Sequence, residues 1–135
     1  MGQPDHILVV DDDDDVRDVI VSILREYHYR VSSVSGGASM RDFLETNDTV
    51  DCVILDAVMP GELSISLLAH LKERNNSVVI ISGNPDSIKY AEDNGLQLLQ
   101  KPFRAQELHS SVHTAIASGS TGSDRWMLVD QKREE

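Results

Sequence analysis

The chain has 135 residues, of which 40% are hydrophobic and 26% are charged, a balance typical of one soluble globular domain. Its formal net charge of −11 argues against binding to the nucleic-acid backbone, which requires clustered Lys and Arg. No apolar run approaches the roughly 18–20 residues that span a bilayer, no signal peptide is indicated, and the single cysteine suits a reducing compartment, so we expect a cytoplasmic protein.

Alternating apolar patterns predict strands and helices in turn along the first part of the chain. The first strand, Ile7–Val10, precedes a helix of about residues 14–27 in which apolar residues repeat at helical spacing. Asp13 is the expected N-cap of this helix. A weaker second strand, at about 29–34, leads to a helix that opens at Gly36-Gly37.

The second part of the chain continues the same alternation. A third strand at about 51–56 is followed by a helical stripe of apolar residues over 65–71. The fourth strand ends at Ser82, and the sequence of residues 84–95 predicts a helix with a proline near its start and a glycine at its end. A brief fifth strand and a last amphipathic helix, over 108–116, complete the pattern.

Helical connections between successive strands require crossovers, and crossovers make the sheet parallel. We therefore predict an α/β fold: a doubly wound five-stranded parallel sheet in a flavodoxin-like three-layer sandwich, (βα)5. The domain is expected to cover residues 1–117. Residues 118–135 are expected to form a flexible linker and a tail, whose apolar patch Trp126–Val129 is either a disordered end or a docking segment.

Four of the predicted strands end in polar side chains that can handle a phosphate group. The carboxyl ends of parallel strands meet at one edge of a sheet, so we expect these side chains to converge there. Pro102 is expected to be cis, because a sharp turn at this position would aim Lys101 into the site. The converging residues are Asp11 and Asp12, Asp56, Ser82 and Lys101.

The chemistry of these side chains suggests a role for each of them. Asp56 is the candidate nucleophile, because a carboxylate can attack phosphorus and form an acyl phosphate. Asp11 and Asp12 are the candidates to hold Mg²⁺ together with Asp56, since this ion prefers carboxylates, water and phosphate oxygens. The hydroxyl of Ser82 and the ammonium of Lys101 would bind the remaining phosphoryl oxygens.

Four stretches of the chain match one family pattern: Ile7–Asp13, Val53–Pro60, Ile80–Gly83 and Gln100–Phe103. They resemble the receiver domains of bacterial two-component response regulators, and the resemblance covers about residues 5–117. It implies that Asp56 accepts a phosphoryl group from the phosphohistidine of a sensor histidine kinase or a phosphotransfer protein.

The resemblance implies further details of the site. Mg²⁺ would be surrounded by three carboxylates and the backbone carbonyl of Val58, with Asp12 in the most direct contact. Family members usually carry an aromatic residue three positions before the lysine, and it turns inward on phosphorylation. Leu98 stands at that position here, so we expect signalling to rely on Ser82 and the helix predicted at 84–95.

We interpret the chain as a single-domain response regulator in a phosphorelay, acting as a protein–protein switch or a phosphate shuttle. It would have no DNA-binding output domain and no catalysis beyond its own phosphorylation and autodephosphorylation. A homodimer is expected to use the face formed by the helix at 84–95, the fifth strand and the last helix. Two alternatives stay open: a receiver-like scaffold that is never phosphorylated, and a Mg²⁺-dependent phosphohydrolase with an aspartyl nucleophile.

Overall fold

A computed structural model describes residues 4–46, 49–56, 64–74, 76–82 and 97–117. Within these ranges, residues 64–68, 97 and 98 are described by their backbone alone. The elements alternate in chain order as β1 His6–Val10, α1 Asp14–Glu26, β2 Arg30–Val34, α2 Gly37–Thr46, β3 Cys52–Asp56, α3 Ser64–Glu73, β4 Ser77–Ser82, β5 Gln97–Gln100 and α4 Ala105–Ala117. None of the described helices is long and apolar enough to cross a membrane. The predicted helix at 84–95 and the predicted tail at 118–135 lie outside the described residues.

The five strands form one sheet in the order β2-β1-β3-β4-β5, and every neighbouring pair is parallel. The predicted flavodoxin-like fold is thereby confirmed. The three central strands are buried along their whole length, because helices cover both faces of the sheet. The strand order reverses direction between β1 and β3, and the carboxyl ends of the strands at such a switch point are where open α/β sheets bind their ligands.

Successive side chains of each strand point to opposite faces of the sheet, and this creates two apolar layers. In β1, Leu8 and Val10 pack with α2 and α3, whereas Ile7 and Val9 pack with α1 and α4. Central strand β3 contributes to both layers through alternate residues. This three-layer packing fixes the sheet, and with it the relative positions of the strand ends.

Both ends of α1 are closed by specific hydrogen bonds. Asp13 is the N-cap, as predicted, and its side chain accepts hydrogen bonds from the backbone N–H groups of Asp15 (2.9 Å) and Val16 (3.1 Å). The helix ends one residue earlier than predicted. Its C-terminal carbonyls accept from the backbone N–H groups of His28 (2.9 Å) and Tyr29 (3.2 Å), which turns the chain towards β2.

Candidate functional site

The sheet register brings the polar strand ends together. Val10 lies opposite Leu55 in the β1–β3 pair, so Asp11 follows directly beside Asp56, the last residue of β3. Asp56 in turn pairs with Ile81 of β4. These side chains therefore lie at the switch point of the sheet, where open α/β folds bind their ligands.

Three carboxylates cluster at this edge. Asp11, Asp12 and Asp56 each place one carboxylate oxygen within 4.8 Å of the others. Asp11 and Asp56 are buried, with 1% and 6% of their surface exposed, whereas Asp12 is exposed to solvent. Like charges at this separation repel one another and favour a cation between them. The cluster is a candidate site for a divalent ion.

The surroundings of Asp11 strengthen this interpretation. Its Oδ1 accepts a hydrogen bond from the backbone N–H of Asp13 at 2.9 Å. Its Oδ2 is buried and has no hydrogen-bond partner among the described residues. A buried carboxylate oxygen without a partner is costly, and hard cations take oxygen ligands of this kind.

A basic residue reaches the cluster from the other side. The Nζ atom of Lys101 lies 3.9 Å from Oδ1 of Asp56. The backbone N–H of Lys101 donates a hydrogen bond to the carbonyl of Ser82 at 2.9 Å. Ser82 is itself 2% exposed at the end of β4. The Lys101–Pro102 peptide bond is cis, as predicted. The ends of β4 and β5 are thus joined directly beside the acidic cluster.

The structure brings some of the predicted site residues together but not all of them. It brings the three carboxylates and Lys101 together, and it sets Ser82 on the strand next to Asp56. Val58 lies outside the described residues. The backbone of Leu98 pairs with Ile80 in the β4–β5 ladder.

Arg17 is a neighbour of the site that the sequence reasoning missed. Its Nη1 donates to the backbone carbonyl of Asp11 at 2.8 Å, and its Nη2 forms an ion pair with Asp14. These contacts tie the first turn of α1 to the loop that carries two of the carboxylates. The sequence does contain a signal for the ion pair, because Asp14 and Arg17 are three residues apart on one helix and residues at this spacing are neighbours.

Comparisons with known proteins agree with this geometry. The model of the response regulator receiver domain family matches residues 7–113. The two-component response regulator ORR11 of Oryza sativa subsp. indica is 33% identical over 114 residues, which cover 79% of this chain and 78% of that protein. The uncharacterized transcriptional regulatory protein YrkP of Bacillus subtilis (strain 168) is 29% identical over 134 residues. That match covers 96% of this chain but only 54% of YrkP.

Solved structures give the same result. A putative response regulator from Chloroflexus aurantiacus J-10-fl superposes with a TM-score of 0.78 at 25% identity, covering 85% of this chain and 99% of that one. The receiver domain protein from Clostridium thermocellum superposes with a TM-score of 0.75 at 28% identity, covering 84% and 94%. The family match, the parallel sheet and the clustered strand ends lead to one conclusion: the chain belongs to the response regulator receiver domain family.

Proposed function

We propose that the chain accepts a phosphoryl group on Asp56 from a phosphohistidine of a sensor histidine kinase or a phosphotransfer protein. One observation carries the proposal. Three carboxylates meet within 4.8 Å at the switch point of the sheet, and the Lys101 ammonium lies 3.9 Å from Asp56. A carboxylate placed between a metal-binding pair and a fixed cation can act as a nucleophile towards phosphorus.

The donor set suits Mg²⁺. Asp11, Asp12 and Asp56 would hold the ion, and the family resemblance adds the backbone carbonyl of Val58. All of these ligands would be oxygen atoms, which hard divalent ions prefer, and Oδ2 of Asp11, which has no hydrogen-bond partner among the described residues, would be one of them. When bound, Mg²⁺ would neutralise the negative charge that builds up on the phosphoryl oxygens.

Three residues of the chain would each have a separate role in the phosphoryl transfer. A carboxylate oxygen of Asp56 forms the new bond to phosphorus while the bond from phosphorus to the donor's imidazole nitrogen breaks, and the imidazole leaves with that electron pair. Lys101 supplies a compact positive charge for the phosphoryl oxygens, and Ser82 supplies a hydroxyl donor.

The downstream role is a separate part of the proposal. The chain spans 54% of the length of YrkP and 15% of the length of the 3′,5′-cyclic-nucleotide phosphodiesterase regA of Dictyostelium discoideum, so the activities of those whole proteins do not transfer to it. We propose a phosphorylation-controlled switch or shuttle that acts through protein contacts. New charge on Asp56, beside Ser82 and Lys101 at the ends of β4 and β5, would bias the conformation of the adjoining surface.

Mass spectrometry tests the phosphoacceptor directly. The protein is incubated with acetyl phosphate and Mg²⁺, and the intact mass is measured before and after addition of hydroxylamine, which cleaves acyl phosphates. We expect a gain of one phosphoryl group that hydroxylamine removes, that EDTA prevents, and that Asp56→Asn abolishes. The control Asp18→Asn removes an exposed carboxylate of α1 outside the cluster and should be phosphorylated like the unmodified chain.

Two results would contradict the proposal. Absence of any mass gain would favour an interaction scaffold that is never phosphorylated. Continuous hydrolysis of other phosphoesters, lost in Asp56→Asn, would favour a phosphohydrolase.

A further inference from the structure

An apolar groove runs beside the acidic cluster on the layer that contains α1 and α4. It encloses about 570 Å³. Val19, in its wall, is 55% exposed and is the one exposed large apolar side chain among those that the structure describes. The groove is lined by Asp15, Val16, Val19 and Ile23 of α1 and by Lys101, Pro102 and Phe103 of the segment after β5. A groove with apolar walls can take an apolar side chain or segment.

One segment of the chain has the composition to fill this groove. Trp126-Met127-Leu128-Val129 is an apolar patch outside the described residues, and it follows the Ser/Gly/Thr-rich stretch 118–123. Sequences rich in Gly and Ser behave as flexible connectors. A Trp side chain with three aliphatic neighbours matches a groove walled by Val, Ile and Phe.

The connection is long enough to reach the groove. α4 has 13 residues, so its last residue, Ala117, lies about 20 Å from its start next to the groove. Nine residue steps separate Ala117 from Trp126. A flexible connector of that length has an average span of about 15–18 Å and a maximum near 30 Å. Because α1 and α4 pack in the same apolar layer, the path back to the groove stays on one side of the molecule.

One basic residue of the tail is complementary in charge to the groove. Asp15 lines the groove, and the acidic run Asp11–Asp15 with Asp18 makes this end of the molecule strongly negative. Arg125 stands directly before the apolar patch and can face this negative end, whereas Asp130 follows the patch and residues 124–135 carry four acidic against three basic side chains. One opposite charge beside the patch can orient the segment as it docks.

We propose that Trp126–Val129 docks into this groove of its own domain. Lys101 belongs both to the groove wall and to the candidate site, so a docked segment covers the surface next to Asp56. The docked segment would lie beside the site of the proposed phosphoacceptor function. The docking itself does not depend on phosphorylation, so its test is independent of that function.

Fluorescence tests the proposal in the full chain, because Trp126 is its only tryptophan. The reference is a synthetic peptide of residues 118–135, in which the indole is in water. We expect the full chain to emit at shorter wavelength than the peptide and to be quenched less by acrylamide. Val19→Glu places a charge in the groove wall at an exposed position that tolerates it, and should return both signals to those of the peptide. The matched control Ala38→Glu, exposed on α2 on the other face of the sheet, should leave them unchanged.

Three outcomes would overturn the proposal. Emission from the full chain identical to that of the peptide would mean that the indole is not docked. A blue-shifted emission that Val19→Glu does not change would place the indole elsewhere. A blue shift that grows with protein concentration would assign the groove to a second copy of the chain. Circular dichroism of Val19→Glu establishes that the variant is folded.

Discussion

At the level of single residues, burial divides the acidic cluster. Asp11 is almost completely buried, and one of its carboxylate oxygens has no hydrogen-bond partner in the part of the chain that the structure describes, whereas Asp12 next to it is exposed. Burying a carboxylate with incomplete hydrogen bonding is costly, so a cation bound at Asp11 would be expected to stabilise the fold. Asp12 carries less of this cost because solvent screens it.

Asp11→Asn should weaken the binding of Mg²⁺ without lowering the stability of the ion-free fold. The amide oxygen can still accept from the N–H of Asp13, and one like charge is removed from the cluster. Without Mg²⁺, we expect the variant to be at least as stable as the unmodified chain. At a Mg²⁺ concentration 100 times the dissociation constant of the ion, the free energy of unfolding of the unmodified chain should rise by about 2.7 kcal/mol. The same Mg²⁺ concentration should raise that of the variant by much less.

Thermal unfolding with and without MgCl₂ measures this difference. Asp18→Asn, an exposed carboxylate on α1, is the control and should respond to Mg²⁺ fully. An equal response of Asp11→Asn would remove Asp11 from the metal site.

His6 forms a second polar cluster at the opposite edge of the sheet. Its Nε2 lies 2.8 Å from the hydroxyl of Ser32, its Nδ1 lies 3.5 Å from the hydroxyl of Thr49, and its backbone N–H donates to Asp51 at 2.8 Å. Burial lowers the pKa of His6 below its usual 6.5, the Arg30 charge lowers it further, and Asp51 opposes both effects. The fold therefore favours the neutral imidazole.

This preference makes stability depend on pH in a defined direction. As the pH falls, the unfolded chain takes up the proton before the folded chain does. The contribution of His6 is complete above about pH 6.5 and is lost as the pH falls through its lower pKa in the fold. Urea unfolding between pH 8 and pH 5 should show a shallower decline for His6→Gln than for the unmodified chain. His113→Gln, at an exposed position, should keep the original decline.

At the level of elements, the two ends of α1 differ in how well their residues suit their positions. Asp13 is among the best N-cap residues, and Asp14 and Asp15 place negative charge at the positive end of the helix dipole. His28, after the C-terminal end, adopts the left-handed conformation at φ 72°. Glycine is the usual residue there, because a Cβ atom costs roughly 1–2 kcal/mol in this region.

His28→Gly should therefore stabilise the protein. Relief of the Cβ strain outweighs the greater freedom of glycine in the unfolded chain, so we expect a gain of up to about 1 kcal/mol in the free energy of unfolding. His28→Ala is the matched control, because it removes the imidazole but keeps Cβ. Urea denaturation measures both. Equal stabilities of the two variants would contradict the prediction, because the strain at residue 28 would then be no larger than the cost of glycine's freedom in the unfolded chain.

At the level of the whole molecule, the sheet divides the core into two apolar layers, and both are needed to hold the strand ends in register. Leu24 is fully buried in the layer shared by α1 and α4. Leu24→Ala should lower the free energy of unfolding by about 2–5 kcal/mol through lost burial and the cavity left behind. Ser22→Ala, exposed on the same helix, should change it by less than about 0.5 kcal/mol in the same urea titration.

The boundaries of the elements show where local pattern fails. β1 begins at His6, one residue before the apolar run, because His6 pairs with Arg30 of β2 and its ring is held by two hydroxyl groups. The groove beside the site also escaped prediction, since Val19 and Phe103 belong to distant parts of the chain. Val58, the tail, the dimer face and the cellular location stay predictions.

The sequence by itself determined the order of elements, the parallel sheet and the identity of the residues at its carboxyl edge. It could do so because buried strands are short apolar runs, crossovers impose parallel pairing, and a polar residue that ends such a run lies at the edge. Only the tertiary structure decided that one carboxylate is buried and its neighbour exposed, that Lys101 lies 3.9 Å from Asp56, and that an apolar groove adjoins them. Burial and distance depend on strand register and on helices packed from far along the chain, and neither is written in any local stretch of residues.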